Sequence, residues 1–290
     1  MIDAYKKFAV LVTTHGRPDR VLTHKMLRSR GYSGRIILVV DNLDKTLPQY
    51  IENYGDEVVV FNKTERAKTV DRADNLPDLC AVVFARNECF DIAERLGLEV
   101  FLQVDDDYTS LQYRFDDLFN YCHPQVRNID LVLPPFIKFM ETTPVHCIAM
   151  AQGGDFIGGN TEGKLKLRAS RKVMNTFFLS TKKRFQFFAR MNDDVTTYTY
   201  GGSIGQIFLT TNQVSIVQPQ TQLEKGGMTE VYQEHGTYVK SFYSVMFHPS
   251  SIKVKTLEDR AGKRLHHSIA WRYTVPKIIR EEHRKASASI

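Results

Sequence analysis

Short apolar runs and amphipathic stretches alternate along the first third of the chain. The apolar runs have the length of β-strands and are rich in β-branched residues, which is typical of strands. The second run, RIILVVDN, is apolar throughout, as strands of a buried parallel sheet are. Strands are therefore predicted at KFAVLVTT (7–14), RIILVVDN (35–42), EVVVFN (57–62) and LEVFLQV (98–104).

The amphipathic stretches between these runs predict helices. The stretch 15–31 begins with turn residues and ends at Gly31, a common helix stop. Val21, Met26 and Leu27 lie roughly on one face of that helix. Two more helices are predicted over 47–55 and 78–97. The mostly charged residues 63–78 between them are predicted to form a long loop or a partly ordered connection, and long irregular loops often have a function.

This order of strands and helices predicts an α/β fold with a mainly parallel sheet and helices on both faces. Ligands of such sheets bind beyond the carboxyl ends of the strands. Polar residues follow each predicted strand, so we expect them to gather along one edge of the sheet. They are Thr13-Thr14, Asp41-Asn42, Asn62-Lys63 and the run Asp105 to Asp107.

The second half of the chain has a less regular pattern. Residues 128–142 are predicted to be helical around a Pro-Pro interruption, and 206–218 to form one long strand or a hairpin. The Gly-rich and then basic segment 153–170 predicts a mobile lid or binding loop. Strands are also predicted at VHCIAMAQ (145–152) and KVMNTFFLST (172–181). Because no clear linker interrupts the chain, we expect a single domain in two halves, 1–115 and 116–290.

Composition and charge narrow the possible functions only slightly. An apolar content of 42% and a charged content of 25% are typical of a globular protein. The net charge of +6 favours a polyanionic partner, although many proteins with this charge bind none. The longest apolar runs are too short for a membrane helix, and the first residues do not resemble a secretory signal. A cytoplasmic protein is the expectation.

The four cysteines have no CxxC spacing, which favours reduced thiols in a reducing compartment. A zinc site at Cys122-His123 and His146-Cys147 is conceivable. Adjacent side chains of a strand point to opposite faces, however, so buried thiols beside exposed imidazoles are the favoured interpretation.

Three consecutive aspartates, Asp105, Asp106 and Asp107, close the fourth predicted strand. Such a run can be a solvated turn. At the predicted ligand edge of a buried sheet, it instead favours a hard divalent cation, Mg²⁺ or Mn²⁺, that is shared with substrate phosphates. Asp105 and Asp107 face the same way if the strand continues, and Asp106 then points elsewhere, for example to a ribose hydroxyl. A cation placed on a diphosphate indicates transfer chemistry with a nucleotide sugar as donor. A nucleoside triphosphate would also fit, although the sequence contains no GxxxxGK[ST] phosphate loop.

Several segments of the chain resemble a known family. VLVTTHGRPDR, LVVDN, FARNECFDIAERLG and VDDDY are similar to segments of GT-A glycosyltransferases, and more narrowly of the TET-associated glycosyltransferases. RMNDDVTTYTYGGSIG and RLHHSIAWRYTVPKII resemble later segments of that family. The resemblance implies a GT-A, Rossmann-like fold. It also implies an enzyme, in many members from a bacteriophage, that moves a sugar from a uridine diphosphate (UDP) sugar to a 5-hydroxymethylpyrimidine in DNA.

The resemblance also implies roles for residues of the donor half. Thr13, Thr14 and Arg17 would line the nucleotide pocket, with the guanidinium of Arg17 near phosphate. Asp41 would bind the uracil or the ribose, unless it is only a turn residue. Arg86, which is unusual within an apolar helix, would reach the diphosphate or pair with an aspartate, the alternative being a surface arginine. Asp105 and Asp106 belong to the same donor site.

Catalytic and metal-binding roles follow from the resemblance for a second set of residues. Asp194, or else Asp193, would be the general base at the start of a late helix, although Asp193 could instead cap that helix. In a retaining reaction the same acids would position the acceptor. The metal would bind Asp107 and Asp105, with His267 as a further ligand. The sequence YGGSIG (200–205) is read as a turn.

Three basic segments are candidates for contact with DNA, because they interleave Lys and Arg with apolar residues. They are 162–172, 180–190 and 259–267. Solvated surface over a Phe-rich core is the alternative for each of them. Two other functions stay open at this point: transfer to a glycan or small molecule, and DNA binding without catalysis.

Overall fold

The computed structural model describes residues 2–156, 169–219, 239–259 and 262–276. The first half of the chain forms four neighbouring parallel strands in the order β3-β2-β1-β4. Each strand is short and apolar, as predicted; β1, β2 and β4 are buried on both faces or nearly so, whereas the edge strand β3 is only partly buried. The four strands are β1 Phe8–Thr13, β2 Arg35–Asp41, β3 Val58–Phe61 and β4 Val100–Asp105.

The later strands extend the same sheet in the order β8-β6-β9-β5, beginning next to β4. Of these, β5 still belongs to the first half of the chain, and the others belong to the second half. Here β6 and β9 keep the direction of β4, whereas β8, β5 and the short β7 run against it. The prediction of a single α/β domain with a mainly parallel sheet is therefore confirmed. The strands are β5 Ser110–Tyr113, β6 Cys147–Ala151, β7 Ala169–Ser170, β8 Thr176–Ser180 and β9 Phe208–Val217.

Helices cover both faces of the sheet, over two separate apolar cores. Alternate residues of β1 point to opposite cores: Val10 and Val12 to one, Ala9 and Leu11 to the other. The first core is covered by α1 Leu22–Ser29, α2 Leu47–Tyr54 and α5 Leu133–Thr142. The second is covered by α4 Val83–Arg95 and α6 Asp193–Ser203. The remaining elements are α3 Lys63–Ala67, α7 Val239–Phe247 and the hairpin β10 Ile252–Asp259 with β11 Gly262–Ile269.

The stretch 15–31 forms a loop and then a helix, as its leading turn residues predict. Helix α1 begins at Leu22, and Gly16 and Arg17 of the preceding loop donate backbone N–H groups to Asp44 and Tyr50. The helix predicted from 78 begins later than expected, at Val83, because the residues before it form a loop held by tertiary contacts. The charged segment 63–78 is not wholly irregular, because Asn62 accepts a hydrogen bond from the Glu65 N–H and caps the short α3.

Two further expectations for the second half are corrected. The Pro-Pro pair lies in the first turn of α5, where proline needs no N–H partner, so it begins the helix rather than interrupting it. Gly201 and Gly202 lie inside α6 rather than in a turn. A Cβ atom at Gly201 would lie within 3 Å of Gln206 and Phe208, so the glycine allows close packing. Residues 208–217 form one long strand, the first of the two possibilities.

The helices of the described ranges are all too short or too polar to cross a bilayer. All four cysteines are free thiols, and Cys89 and Cys147 are buried.

Candidate functional site

The carboxyl ends of the parallel strands open into a cleft of about 590 Å³. In the pairing register Thr13 lies beside Asp105, so the strand ends converge as predicted. The second half of the chain contributes the opposite wall, including the start of α6. Ten of the eleven residues that the sequence assigned to the site line this cleft: Thr13, Thr14, Arg17, Asp41, Arg86, Asp105, Asp106, Asp107, Asp193 and Asp194.

The backbone of the aspartate run is fixed by Thr23 of α1. Its hydroxyl donates to the Asp105 carbonyl at 2.6 Å and accepts from the Tyr108 N–H at 2.9 Å. Its N–H donates to the Asp106 carbonyl at 3.0 Å. Strand β4 ends at Asp105, so Asp106 and Asp107 lie in a turn. The expectation that strand alternation orients these side chains is therefore wrong.

Both carboxylate oxygens of Asp106 are bound within the protein. One accepts from the Thr14 hydroxyl at 2.7 Å and the other from the Arg17 guanidinium at 3.1 Å. Tyr50 extends this network, because its hydroxyl lies 2.7 Å from that of Thr14 and accepts from the Arg17 N–H at 2.9 Å. Asp106 thus fixes the loop between β1 and α1, and its suggested contact with a ribose hydroxyl stays a prediction.

Asp107 is a partly buried carboxyl of this turn that lacks a counter-charge of its own within the described ranges. Its Oδ1 atom is buried and has no hydrogen-bond partner among the described residues. Burial, together with the neighbouring charges of Asp105 and Asp106, raises the pKa of Asp107 to about 7. A divalent cation would relieve this repulsion, so the donor set fits Mg²⁺ or Mn²⁺. The described part of the chain contains no cluster of three or more His, Cys, Asp or Glu side chains suited to a metal. Asp105 and Asp107 would therefore need substrate phosphates to complete the coordination.

Arg86 of α4 joins the aspartate turn to the acids of α6. Its side chain is buried, with Nη1 donating to Asp193 Oδ2 at 2.5 Å and Nη2 lying 3.6 Å from Asp105 Oδ1. The guanidinium also lies 4.8 Å from the centre of the Phe177 ring. Burial disfavours its charge, but Asp193 and Asp105 raise the pKa of Arg86, so it stays protonated. The alternative of a surface arginine is wrong.

Asp193 and Asp194 are the first two residues of α6, and only 5% and 7% of their surfaces are exposed. Burial raises the pKa of both carboxyls, although Arg86 acts in the opposite direction. The Arg86 guanidinium binds Asp193 directly, whereas Asp194 accepts a hydrogen bond from the Val195 N–H at 2.7 Å. Asn192 occupies the cap position, so the alternative that Asp193 caps the helix is wrong.

Asp41 lies at the end of β2 beside His15 and Lys63, two contacts that the sequence did not reveal. Its Oδ2 atom lies 2.7 Å from His15 Nδ1 and 3.1 Å from Lys63 Nζ. Burial opposes ionisation, but these two partners lower the pKa of Asp41 below its ordinary value. The Leu43 N–H donates to its Oδ1 atom at 3.1 Å, so Asp41 is a turn residue as well as part of the cleft wall.

Arg190 is a further part of the site that sequence analysis missed. It is 1% exposed and donates to Asp74 at 2.8 Å, to Asp78 at 2.7 Å and to the Cys80 carbonyl at 3.0 Å. The Tyr243 hydroxyl adds a bond to Asp74 at 2.7 Å. These bonds hold the segment that supplies Leu79, Cys80 and Ala81 to the cleft wall. The sequence did contain a signal for Arg190, because this charged residue directly follows the Phe-rich run FQFFA. A charged residue in an apolar stretch was also the signal that identified Arg86.

His267 is the predicted site residue that does not line the cleft. Its Nδ1 atom lies 3.3 Å from Nδ2 of Asn192, one residue before Asp193. Burial lowers the pKa of His267 to about 4, so the ring is neutral at physiological pH. Among the described side chains it does not form a three-ligand metal cluster with Asp105 and Asp107.

The basic segment 180–190 is not an open cationic surface. Lys182 pairs with Glu99, Lys183 donates to backbone carbonyls, and Arg184 pairs with Asp91 and Glu94. Phe185 and Phe187 pack in the second core. These contacts favour the alternative of a solvated surface over a Phe-rich core, and contact of this segment with DNA stays a prediction. Most of 162–172 lies outside the described residues, and 259–267 falls largely on the β10–β11 hairpin.

Comparison with known proteins adds information on ancestry. The sequence model of the TET-Associated Glycosyltransferase family matches residues 8–227. No curated protein matches the chain.

Solved structures with a similar fold include several enzymes. One is glucosyl-3-phosphoglycerate synthase from Mycobacterium tuberculosis, solved with Mg²⁺ and UDP. It is 8% identical in sequence with a TM-score of 0.46, and the match covers 91% of this chain and 87% of the synthase chain. A mannosyltransferase from Pyrobaculum calidifontis, solved with GDP-Man and Mn²⁺, is 14% identical with a TM-score of 0.44, and the match covers 81% of this chain and 64% of that one. TarS from S. aureus, solved with UDP-GlcNAc, is 15% identical with a TM-score of 0.45, and the match covers 83% of this chain and 66% of the TarS chain. The chain thus spans slightly under two thirds of the last two.

Proposed function

Because the chain belongs to the TET-associated glycosyltransferase family, we propose that it transfers a sugar from a UDP-sugar to a 5-hydroxymethylpyrimidine in DNA, with 5-hydroxymethylcytosine as the first candidate. The prediction of a glycosyltransferase is itself confirmed by the family match. The main structural support for this proposal is the position of Arg86. Its guanidinium joins the aspartate turn, through Asp105, to the buried acids at the start of α6 within one cleft.

The donor half, residues 1–115, binds the nucleotide sugar in this proposal. Asp41, with Lys63 and His15 beside it, supplies polar groups for the uracil or the ribose, and Leu43 and Phe61 supply apolar surface. Thr13, Thr14 and Arg17 form the adjoining wall. A bound Mg²⁺ or Mn²⁺ would neutralise the charge that builds on the departing diphosphate. Asp105 and Asp107 are the residues that would hold it.

The acceptor half, residues 116–290, supplies the general base. Asp194 takes the proton of the acceptor hydroxymethyl group while the hydroxyl oxygen bonds to the anomeric carbon of the sugar. The bond from that carbon to the diphosphate oxygen breaks, and its electron pair stays on the diphosphate. The direct Arg86 contact to Asp193 leaves Asp194 as the better base and makes Asp193 a positioning residue. In a retaining reaction both acids would instead orient the acceptor.

Release of UDP with defined DNA tests the donor and the acceptor together. We expect release only when a UDP-sugar and a duplex with 5-hydroxymethylcytosine or 5-hydroxymethyluracil are both present, and none with unmodified DNA of the same sequence. Mass spectrometry of the digested nucleosides then identifies the sugar and the modified base. Equal UDP release on unmodified DNA, or release only with a glycan or small-molecule acceptor, contradicts the DNA proposal.

The metal requirement is tested by substitution of Asp107. Asp107→Asn keeps the shape of the side chain and removes the charge, so we expect Mn²⁺-dependent binding of UDP, measured by calorimetry, to weaken at least about 100-fold and transfer to be lost. Glu141→Gln removes one exposed carboxylate of α5, outside the cleft, and is the matched control. Full activity of Asp107→Asn, or of the wild type in excess chelator, overturns the assignment.

A further inference from the structure

Helix α7 and the β10–β11 hairpin form a unit that lies outside the matched family range and packs against the catalytic helix. The family match ends at residue 227, and this unit begins at Val239. Helix α7 contacts both strands of the hairpin as well as α6. Its Lys240 reaches the cleft wall. The unit is therefore placed where an acceptor would approach the site.

The two faces of the hairpin differ in character. In the antiparallel register Ile252 pairs with Ile269 and Val254 with His267, and this face turns inward, with Ile252 and Ile269 in the second core. The alternate residues face outward. They include Lys253 and Lys255, both exposed, opposite Ser268 and His266.

Lys253 and Lys255 present their charges to solvent, two residues and about 6.8 Å apart along the strand. Among the described side chains, no carboxylate forms an ion pair with either of them. Most cations of the segment 180–190, by contrast, are bound to carboxylates or carbonyls of the protein itself. The hairpin therefore combines exposed positive charge with a fixed backbone, which suits contact with a regular row of phosphates.

We propose that the outer face of the β10–β11 hairpin binds the phosphate backbone of the acceptor DNA through Lys253 and Lys255. The inference rests on the proposed function for the identity of the acceptor. Asn192 connects the hairpin and α7 to the chemistry, because its Nδ2 atom lies 3.3 Å from His267 Nδ1 on the inner face of the hairpin, and 3.0 Å from the Lys240 carbonyl and 3.3 Å from Ser244 Oγ on α7. DNA held on the hairpin is thereby placed in a fixed relation to Asp193 and Asp194.

Charge reversal on the hairpin tests the inference. In Lys253→Glu/Lys255→Glu we expect affinity for a hydroxymethylated duplex, measured by fluorescence anisotropy at 0.1 M salt, to fall roughly 10- to 100-fold. The slope of log affinity against log salt should become shallower by about 2, one for each lysine. Binding of UDP should not change, because neither lysine lines the cleft.

Matched controls separate this site from net charge and from misfolding. Lys25→Glu/Lys138→Glu makes the same change in net charge on α1 and α5, which cover the opposite face of the sheet, and should leave DNA affinity within about twofold. Lys253→Gln/Lys255→Gln should lose less DNA affinity than the Glu variant but more than the α1/α5 control, and its thermal unfolding should be like that of the wild type. The inference is overturned if the hairpin variants bind DNA like the wild type, or if the α1/α5 variant loses as much. If the wild type modifies no DNA at all, the proposed function fails instead.

Discussion

The guanidinium of Arg86 lies in the protein interior between two carboxylates that come from opposite halves of the chain. It contacts Asp193 at 2.5 Å and lies 3.6 Å from Asp105. Removing one partner of a buried ion pair leaves an uncompensated charge, which typically costs about 3–5 kcal/mol. The charge of Arg86 thus allows two acidic clusters to share one cleft.

A double-mutant cycle tests this role of Arg86. We expect Arg86→Met to lower the free energy of unfolding by about 3–5 kcal/mol, because Asp193 and Asp105 lose their counter-charge. Arg86→Met/Asp193→Asn should be less destabilised than the sum of the two single variants, since the second change removes the stranded charge. Urea unfolding of the four proteins gives the coupling energy. Additive losses would show that the pair contributes nothing beyond packing.

The pH dependence of transfer tests Asp194 as the base. Burial raises the pKa of Asp194, so the protonated and inactive form persists to higher pH than for an ordinary carboxyl. We therefore expect the single-turnover rate to keep rising at pH values above about 4, where an ordinary carboxyl has already ionised, rather than to level off there. Asp194→Asn should be slow and lose this rise. A wild-type rate that is constant down to pH 4.5 would contradict the assignment.

Sequence reasoning identified individual residues best where the chemistry of one position was anomalous. Arg86 was noticed because a charged residue lay within an apolar stretch, and the structure explains it with a buried ion pair. The partners of Asp106, Thr14 and Arg17, were not foreseen because they are distant from it in sequence. The role of a carboxylate depends on which donors surround it, and such neighbours come from the fold.

At the scale of elements, Arg190 replaces regular secondary structure in holding the loop from Asp71 to Cys80. It binds the Asp74 carboxylate through Nε at 2.8 Å and through Nη2 at 3.0 Å. The backbone of the loop is further fixed by hydrogen bonds from the Ala189 and Arg190 N–H groups. The Arg190 side chain and these backbone bonds together order this part of the cleft wall.

Arg190→Lys retains the charge but cannot form the two-point contact with Asp74. We expect the KM for the UDP-sugar to rise about five- to tenfold, as for about 1 kcal/mol of lost interaction, with little change in kcat. Hydrogen exchange should become faster in residues 71–81. Arg184→Lys, at an exposed pair with Asp91 and Glu94, is the control and should affect neither quantity. Unchanged exchange in 71–81 would refute the role of Arg190.

The strands were more predictable than the starts of the helices, for a physical reason. The apolar runs of β1 and β2 are buried on both faces, so the local pattern alone indicates a strand. Helix α4 begins at Val83 rather than at Asp78 because residues before it accept hydrogen bonds from Arg190 and Arg72. Such contacts leave no periodic pattern in the sequence.

At the scale of the whole molecule, the two halves of the sheet differ in how they could be predicted. The first half follows from successive strand–helix–strand units, whose pairing is local and parallel. The second half depends on the long-range pairing of β4 with β8 and of β5 with β9, which no local pattern specifies. The cleft lies between the two halves, and sequence reasoning found residues of both of its walls. It did not find that Arg190 holds the loop before α4, or that His267 lies outside the cleft, because both depend on long-range contacts.

If DNA is the acceptor, as proposed, the depth of the acids within the molecule determines how the base must be presented. Asp193 and Asp194 are 5% and 7% exposed, whereas the 5-position of a stacked pyrimidine lies in the major groove of the duplex. A stacked base cannot bring its hydroxymethyl group to acids buried in a cleft, so we expect the base to leave the helix before transfer.

Duplexes that differ only in base pairing test this expectation. A mismatch opposite 5-hydroxymethylcytosine lowers the cost of extrusion, which is a few kcal/mol for a paired base, so kcat/KM should rise at least about tenfold over the matched duplex. The same mismatch placed one helical turn away should leave the rate unchanged, which controls for general flexibility of the DNA. Equal rates on matched and mismatched sites would instead mean that the enzyme reaches the base within the groove, and that the cleft widens when DNA binds.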